Sequence, residues 1–325
     1  MSYSARKPID VVRYDASLQS VWDAFVAECK NSTFLFYRAY IDYNPRFTDF
    51  SMLFYRGKEL VGLLPANISG ETLASHAGLT YGGFLLSKKA VARDVMDMFA
   101  ALRSYLVAHT EVTKIIYRPV PHIYSTYPAE EDLYALFRYN ARLTERKISS
   151  ALPLCEPLPF SSLRVRKAKK GVAAGLTVCE DCNYAAFWEV LQCNLRDGHN
   201  VAPVHSLAEI ELLAGRFPQN IRLFRVVDAA GDTVAGSVIY HTGQVVHVQY
   251  IGSLPCGREQ GALEFLFGYL IGTRFAGTRY FEFGTSVEKG GRYLNEGLLF
   301  QKEGFGGRAV VYDTYEIDIN SISND

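Results

Sequence analysis

The sequence predicts an α/β fold, a mixed (α+β) sheet covered by helices, laid down twice in one chain. Three observations predict it. Short β-branched and aromatic runs alternate with stretches whose apolar residues recur every three or four positions. Strand-like runs are joined in pairs by tight glycine turns. The order of elements in the first half then returns in the second, with Trp22 and Trp188, Gly57 and Gly231, and Ile115 and Tyr280 as similarly spaced landmarks. A chain of 325 residues holds two domains of about 150 residues, each able to bury its own core. The expected domains are 1–155 and 156–325, with a basic helix at 162–172 where they join.

In the first half, residues 9–14 (IDVVRY) read as a strand and 17–30 as a helix, with Leu18, Trp22, Phe25 and Cys29 on one side and Asp15 or Ser17 as N-cap. A short helix is expected at 35–43. Strands at 50–55 and 59–68 flank Arg56-Gly57-Lys58, a hairpin signal. Residues 90–109 are strongly amphipathic and helical, through Val95, Met98, Phe99, Leu102 and Leu106. A strand at 114–120, a helix at 130–140 and a strand at 146–154 complete the half.

The second half opens with helices at 184–195 and 206–217. Ser206 and Glu209 form a capping-box pattern at the start of the latter. Strands at 221–228 and 233–241 turn at Ala230-Gly231-Asp232, and a third covers 244–253. Then come a helix at 259–275, a strand at 279–284, a helix at 294–305 and a last strand at 309–319.

Lys and Arg together number 34, as do Asp and Glu. The molecule therefore has no net field to draw in polyanions, and any affinity for phosphate or nucleic acid must come from a local patch. Nothing points to DNA. The N-terminal stretch holds no apolar run like a signal peptide, and no later run is long enough to span a membrane. Six cysteines show no disulfide framework, so a cytoplasmic location is expected. Cys179 and Cys182 form a C-x-x-C with Cys193, His199 and His205 downstream, but no clean fourth ligand is evident and no metal is expected.

Several residues could carry chemistry. In LNEGLLFQKEGFGG (294–307), Leu298 and Phe305 are expected to pack, Asn295, Lys302 and Glu303 to face a cleft, and Gly304 to end the helix. Glu282 and Glu303 are the candidate general bases. Phe281 and Phe283 flank Glu282, and apolar neighbours raise a carboxyl's pKa towards the useful range. If both rings point one way, Glu282 points to the other face. His247 and Gln249 alternate on their strand and so should share a face. His76 and Tyr81, in SHAGLTYGG (75–83), are expected to touch substrate, as is His247. Arg166 and Lys167 lie in RVRKAKKGVAAG (164–175), where no interleaved acid relieves the basic run.

The second half resembles the GNAT acyltransferase superfamily. Its pyrophosphate-binding signature, R/Q-x-x-G-x-G/A, is partly matched by VVHVQYIGSLPCGREQGALEF, with Arg258, Gly261 and Ala262 in place and Leu263 where a small residue is usual. The resemblance implies that Gln249, Ile251, Gly257, Arg258, Gly261 and Ala262 bind the donor, acyl-CoA and most simply acetyl-CoA, through amides at a helix N-terminus. Phe300 stands where the family's proton-donating tyrosine usually lies, and it cannot donate.

GLLFQKEGFGG (297–307), RKAKKGV (166–172) and SHAGLTYGG are also similar to segments of the Fem-type transferases and the FemAB-like proteins of bacterial polysaccharide clusters. That resemblance implies two tandem GNAT-like domains, with Lys302, Arg166 and Lys167 as substrate or phosphate contacts. The function it implies is acyl transfer to a small-molecule amine, of a sugar or nucleotide-sugar, in cell-envelope synthesis. Alternatives are a transferase using aminoacyl-tRNA to modify a peptidoglycan precursor, and a non-catalytic ligand-binding relative.

Overall fold

The computed structural model describes residues 6–199, with backbone only over 195–199, and 203–323. The chain forms two compact units. The first takes the chain up to Lys147, Lys289–Arg292 and the chain from Val311; the second takes Ile148–Glu288 and Tyr293–Val310.

The first unit contains β1 (Ile9–Arg13), α1 (Gln19–Glu28), α2 (Arg38–Ile41), β2 (Met52–Arg56), β3 (Glu59–Leu64), β4 (Asn67–Ser69), β5 (Thr72–Ala74), β6 (Leu85–Leu86), α3 (Ala92–His109), β7 (Lys114–Tyr117), α4 (Glu131–Arg138) and the start of β8 (Arg142–Pro153). One sheet has the order β1-β2-β3-β6, and β2 turns into β3 at Gly57, whose φ is +63°. Residues 59–68 are not one strand. Pro65 has no N–H for a ladder, and the run divides there into β3 and β4, which join different sheets. The core gathers Phe54, Phe84, Met98, Phe99, Leu102 and Tyr117. The expected face of α3 is the one it buries. Residues 75–83, the segment similar to one in the Fem-type transferases, form an irregular loop.

The second unit begins within β8. It continues through α5 (Ser162–Ala173), β9 (Thr177–Asp181), α6 (Tyr184–His199), α7 (Leu207–Arg216), β10 (Ile221–Val227), β11 (Thr233–His241), β12 (Val245–Ser253), α8 (Pro255–Gln260), α9 (Ala262–Tyr269), β13 (Tyr280–Thr285), β14 (Val287–Glu288), β15 (Tyr293–Leu294) and α10 (Glu296–Glu303). The strand β16 (Arg308–Asp318) starts here and ends in the first unit, where its last residues pair antiparallel with β7. Strand order is β8-β13-β12-β11-β10-β9, antiparallel except for β12 beside β13. Ser206 and Glu209 cap α7 reciprocally, as their spacing predicts.

The helix expected at 259–275 is broken. Gly261 adopts φ +73° and separates α8 from α9, and a π turn at Leu270–Arg274 follows. The cause is tertiary, because a methyl on Gly261 would lie 2.3 Å from the Lys167 carbonyl oxygen of α5. One on Gly171 would meet Phe265 Cβ at 2.7 Å. Two glycines thus let α5 lie directly on α9. Replacing Gly261 by Ala should cost about 2–4 kcal/mol in urea unfolding, from left-handed strain plus overpacking. Gly268→Ala, with no atom within 4 Å of the added methyl, should instead gain about 0.5–1 kcal/mol from helix propensity.

Candidate functional site

β12 and β13 pair at only three positions: Val245 with Tyr280, Val246 with Phe281, and His247 with Glu282. Both strands then change course. On β12, Val248 faces Ile239 and Tyr250 faces Val238 of β11, so Gln249 is the extra residue of a bulge. On β13, register against β8 slips between Glu282 and Thr285, and Gly284 takes φ +77°. The strands part, and a cleft of about 410 Å³ opens in the wedge.

Val248 and Ile251 of β12, Phe283 of β13 and Leu298 of α10 line this cleft. The bulge matters here, since plain alternation would set residues three apart on opposite faces. Phe267, Phe283 and Phe305 form the apolar wall, with ring centroids 5.3–5.5 Å apart. Four cations reach the cleft, Arg164, Lys167, Arg258 and Lys302. Glu264 answers two of them, with Arg164 Nη1 at 2.5 Å and Lys167 Nζ at 3.6 Å from the same oxygen. Arg258 donates to two neutral acceptors, Asn194 Oδ1 at 3.0 Å and the Ser253 carbonyl at 2.9 Å.

Lys302 is 7 % exposed, and its Nζ donates to the carbonyls of Gly284 and Thr285 at 2.8 and 2.7 Å. These carbonyls follow the last β12–β13 pair. Burial pulls the ammonium down to about 8, against the opposing pull of Glu282.

Glu282 points away from Phe281 and Phe283, as its place in the strand predicts, and is fully buried. Its Oε2 bonds His247 Nδ1, and its Oε1 accepts from the Ser149 hydroxyl and, at 2.9 Å, from the Gly284 amide. Burial alone would raise its pKa. The His247 ring, the Ser149 hydroxyl and the Lys302 charge outweigh burial and hold it below the ordinary carboxylate range. The expected upward shift is therefore reversed, because charged and hydrogen-bonding partners meet the buried carboxylate. A carboxylate held charged with every oxygen engaged orients its neighbour and does not collect a proton from substrate. The neighbour is His247, whose Nε2 makes no hydrogen bond among the described residues. Gly284 joins the two halves of the site. A methyl there would lie 3.8 Å from the Val248 carbonyl oxygen of the cleft wall and 3.9 Å from His247 Cε1.

The other candidates fall in different places. Ile251, Arg258, Lys167 and Lys302 line the cleft, and Gln249 forms the bulge. Gly257 and Gly261 serve packing, since a methyl on Gly257 would meet the Val234 carbonyl oxygen at 2.5 Å, and Ala262 is core. Arg166 and Glu303 are exposed and outside the lining. Asn295 caps α10 through the Leu298 amide, and Phe300 is 64 % exposed. His76 and Tyr81 belong to the first unit, where both are buried. Burial lowers His76 to about 4, and Tyr81 lies tilted against Tyr124 with ring centroids 4.6 Å apart. No group of three or more metal-ligating side chains occurs among the described residues; His205 is bonded to Tyr250, and the His199 side chain lies outside those residues. No helix among them is long and apolar enough to cross a membrane.

Sequence reading missed Ser149, Arg164, Glu264, Gly284 and Phe267. Only Arg164 had a signal, at the head of the basic run.

The parted strands, their helical walls and the imidazole–carboxylate pair sit on a fold shared with solved structures of FemX and of a tandem GNAT protein. No family model matches the sequence, and no curated protein matches it. Solved structures do. FemX superposes with a TM-score of 0.67 at 11% identity, covering 94% of this chain and 96% of its own. L-PGS from Bacillus licheniformis gives 0.59 at 12% identity, covering 98% and 95%. A tandem GNAT protein from the clavulanic acid biosynthesis pathway gives 0.51 at 12%, covering 96% and 99%.

Because the folded pKa of Glu282 is depressed, its charge adds stability above the ordinary value of 4.5, and that stability is lost as pH falls through the folded value. Glu282→Gln should be about 1–3 kcal/mol less stable than wild type near neutrality. The gap should close in urea titrations as pH falls below the ordinary value of 4.5 and through the depressed folded value.

Proposed function

We propose that the second unit transfers an acyl group from acyl-CoA, acetyl-CoA being the simplest, to an amine of a sugar or nucleotide-sugar used in cell-envelope polysaccharide synthesis. One observation carries this reading: the parted β12–β13 wedge meets Lys302 and the His247–Glu282 pair at Gly284. The free edge of β12 beyond His247 suits an extended thioester arm lying in the missing strand's place. Arg258 and Lys167 at the cleft suit the donor's phosphates.

The chemistry follows from these groups. Nδ1–H of His247 donates to Glu282, so Nε2 is the basic nitrogen. It takes a proton from the amine as the amine attacks the thioester carbonyl. The C–S bond breaks, and Lys302 gives a proton to the departing thiolate, the role Phe300 cannot fill. Solvent exchange then restores both groups.

A second reading, transfer from an aminoacyl-tRNA to a peptidoglycan precursor, has its own support. Arg166, Lys169 and Lys170 of α5 are exposed and make no ion pair among the described residues. They would suit an RNA backbone.

Acetyl-CoA should raise the melting temperature of the chain, and salt-sensitive tRNA binding without any effect of acetyl-CoA would favour the second reading instead. Lys302→Met should lower kcat by about 10²–10³. Wild-type activity should fall as pH rises through about 8, where the ammonium is lost. A flat profile there would remove Lys302 from the proton-donor role.

A further inference from the structure

We infer that Ser149 is a positioning residue for His247, acting through Glu282. The inference rests on the role proposed above for His247, but its central measurement does not.

Ser149 is fully buried on β8, and its hydroxyl is spent on Glu282 Oε1. A carboxyl group turns easily about its last torsion, because that torsion has broad minima. Burial alone does not fix the plane of Glu282. Two donors on Oε1, the Ser149 hydroxyl from β8 and the Gly284 amide from β13 itself, set that plane and leave Oε2 for His247 Nδ1 on β12. The chain Ser149–Glu282–His247 thus crosses three neighbouring strands, next to the last pair before the wedge opens. It holds the proton on Nδ1 and keeps Nε2 basic, as outer partners of a functional histidine do elsewhere.

The adjacent residue supplies a matched control. Ser150 is also buried, 1 % exposed, but its hydroxyl has no partner among the described residues. Loss of that hydroxyl should leave His247 untouched.

The test is ring-nitrogen NMR of His247 in the full chain without substrate. Wild type, Ser150→Ala and Ser149→Thr should show one tautomer, protonated on Nδ1. Ser149→Ala should show a mixture. If Ser149→Ala fails to fold, Ser149→Cys keeps the volume with a poorer donor and is read the same way. A single Nδ1–H tautomer in the hydroxyl-less variant would overturn the inference. With a working acyl-transfer assay, Ser149→Ala should lower kcat about 10–100-fold at near-constant KM, and Ser149→Thr should restore it. If no donor is turned over by wild type, the proposed function fails while the tautomer result still decides the role of Ser149.

Discussion

Parallel strands stay together only while each N–H meets a carbonyl on its neighbour. β12 and β13 meet that condition for three residue pairs and then stop. The cleft and the groups at its inner end follow from this parting. The bulge at Gln249 turns β12 one way, and left-handed Gly284 turns β13 the other. The opened wedge would expose backbone carbonyls to an apolar cleft, at a cost of a few kcal/mol each if left bare. Lys302 answers two of them, which fixes the ammonium beside the cleft and keeps it short of water. On the other face, the last pair before the parting places His247 beside Glu282.

The two charged centres of the site are both buried, yet one charge is weakened and the other reinforced. Lys302 has only carbonyl acceptors and the distant help of Glu282, so desolvation prevails and its pKa falls. Glu282 is also desolvated, but the His247 ring, the Ser149 hydroxyl and the Lys302 charge prevail over burial and its pKa falls too. A weakened ammonium and a firmly charged carboxylate are what the proposed proton transfer would use. One gives up its proton readily, and the other holds an imidazole without taking the proton itself.

The helices that wall the cleft are held by close backbone approach. Gly171 and Gly261 bring α5 onto α9, which sets Arg164 and Lys167 beside Glu264 and Arg258 near the cleft mouth. The glycines that resemble a pyrophosphate signature therefore have a packing reason of their own. The side-chain cations, more than the glycines, are what the proposed binding of an anionic donor would draw on.

Much of this architecture was legible in the sequence. Periodicity located α3, the capping box marked α7, and period-two reading placed Glu282 opposite Phe281 and Phe283. These are local rules, set by neighbours a few residues away. Only the tertiary structure decided the rest. The break at Gly261 depends on a carbonyl of α5 distant in sequence, the pKa of Glu282 on a serine of β8 and a histidine of β12, and the wedge on where two strands cease to pair. A linear pattern names the residues able to do chemistry. Their partners come from distant parts of the chain, and the partners fix charge, orientation and access.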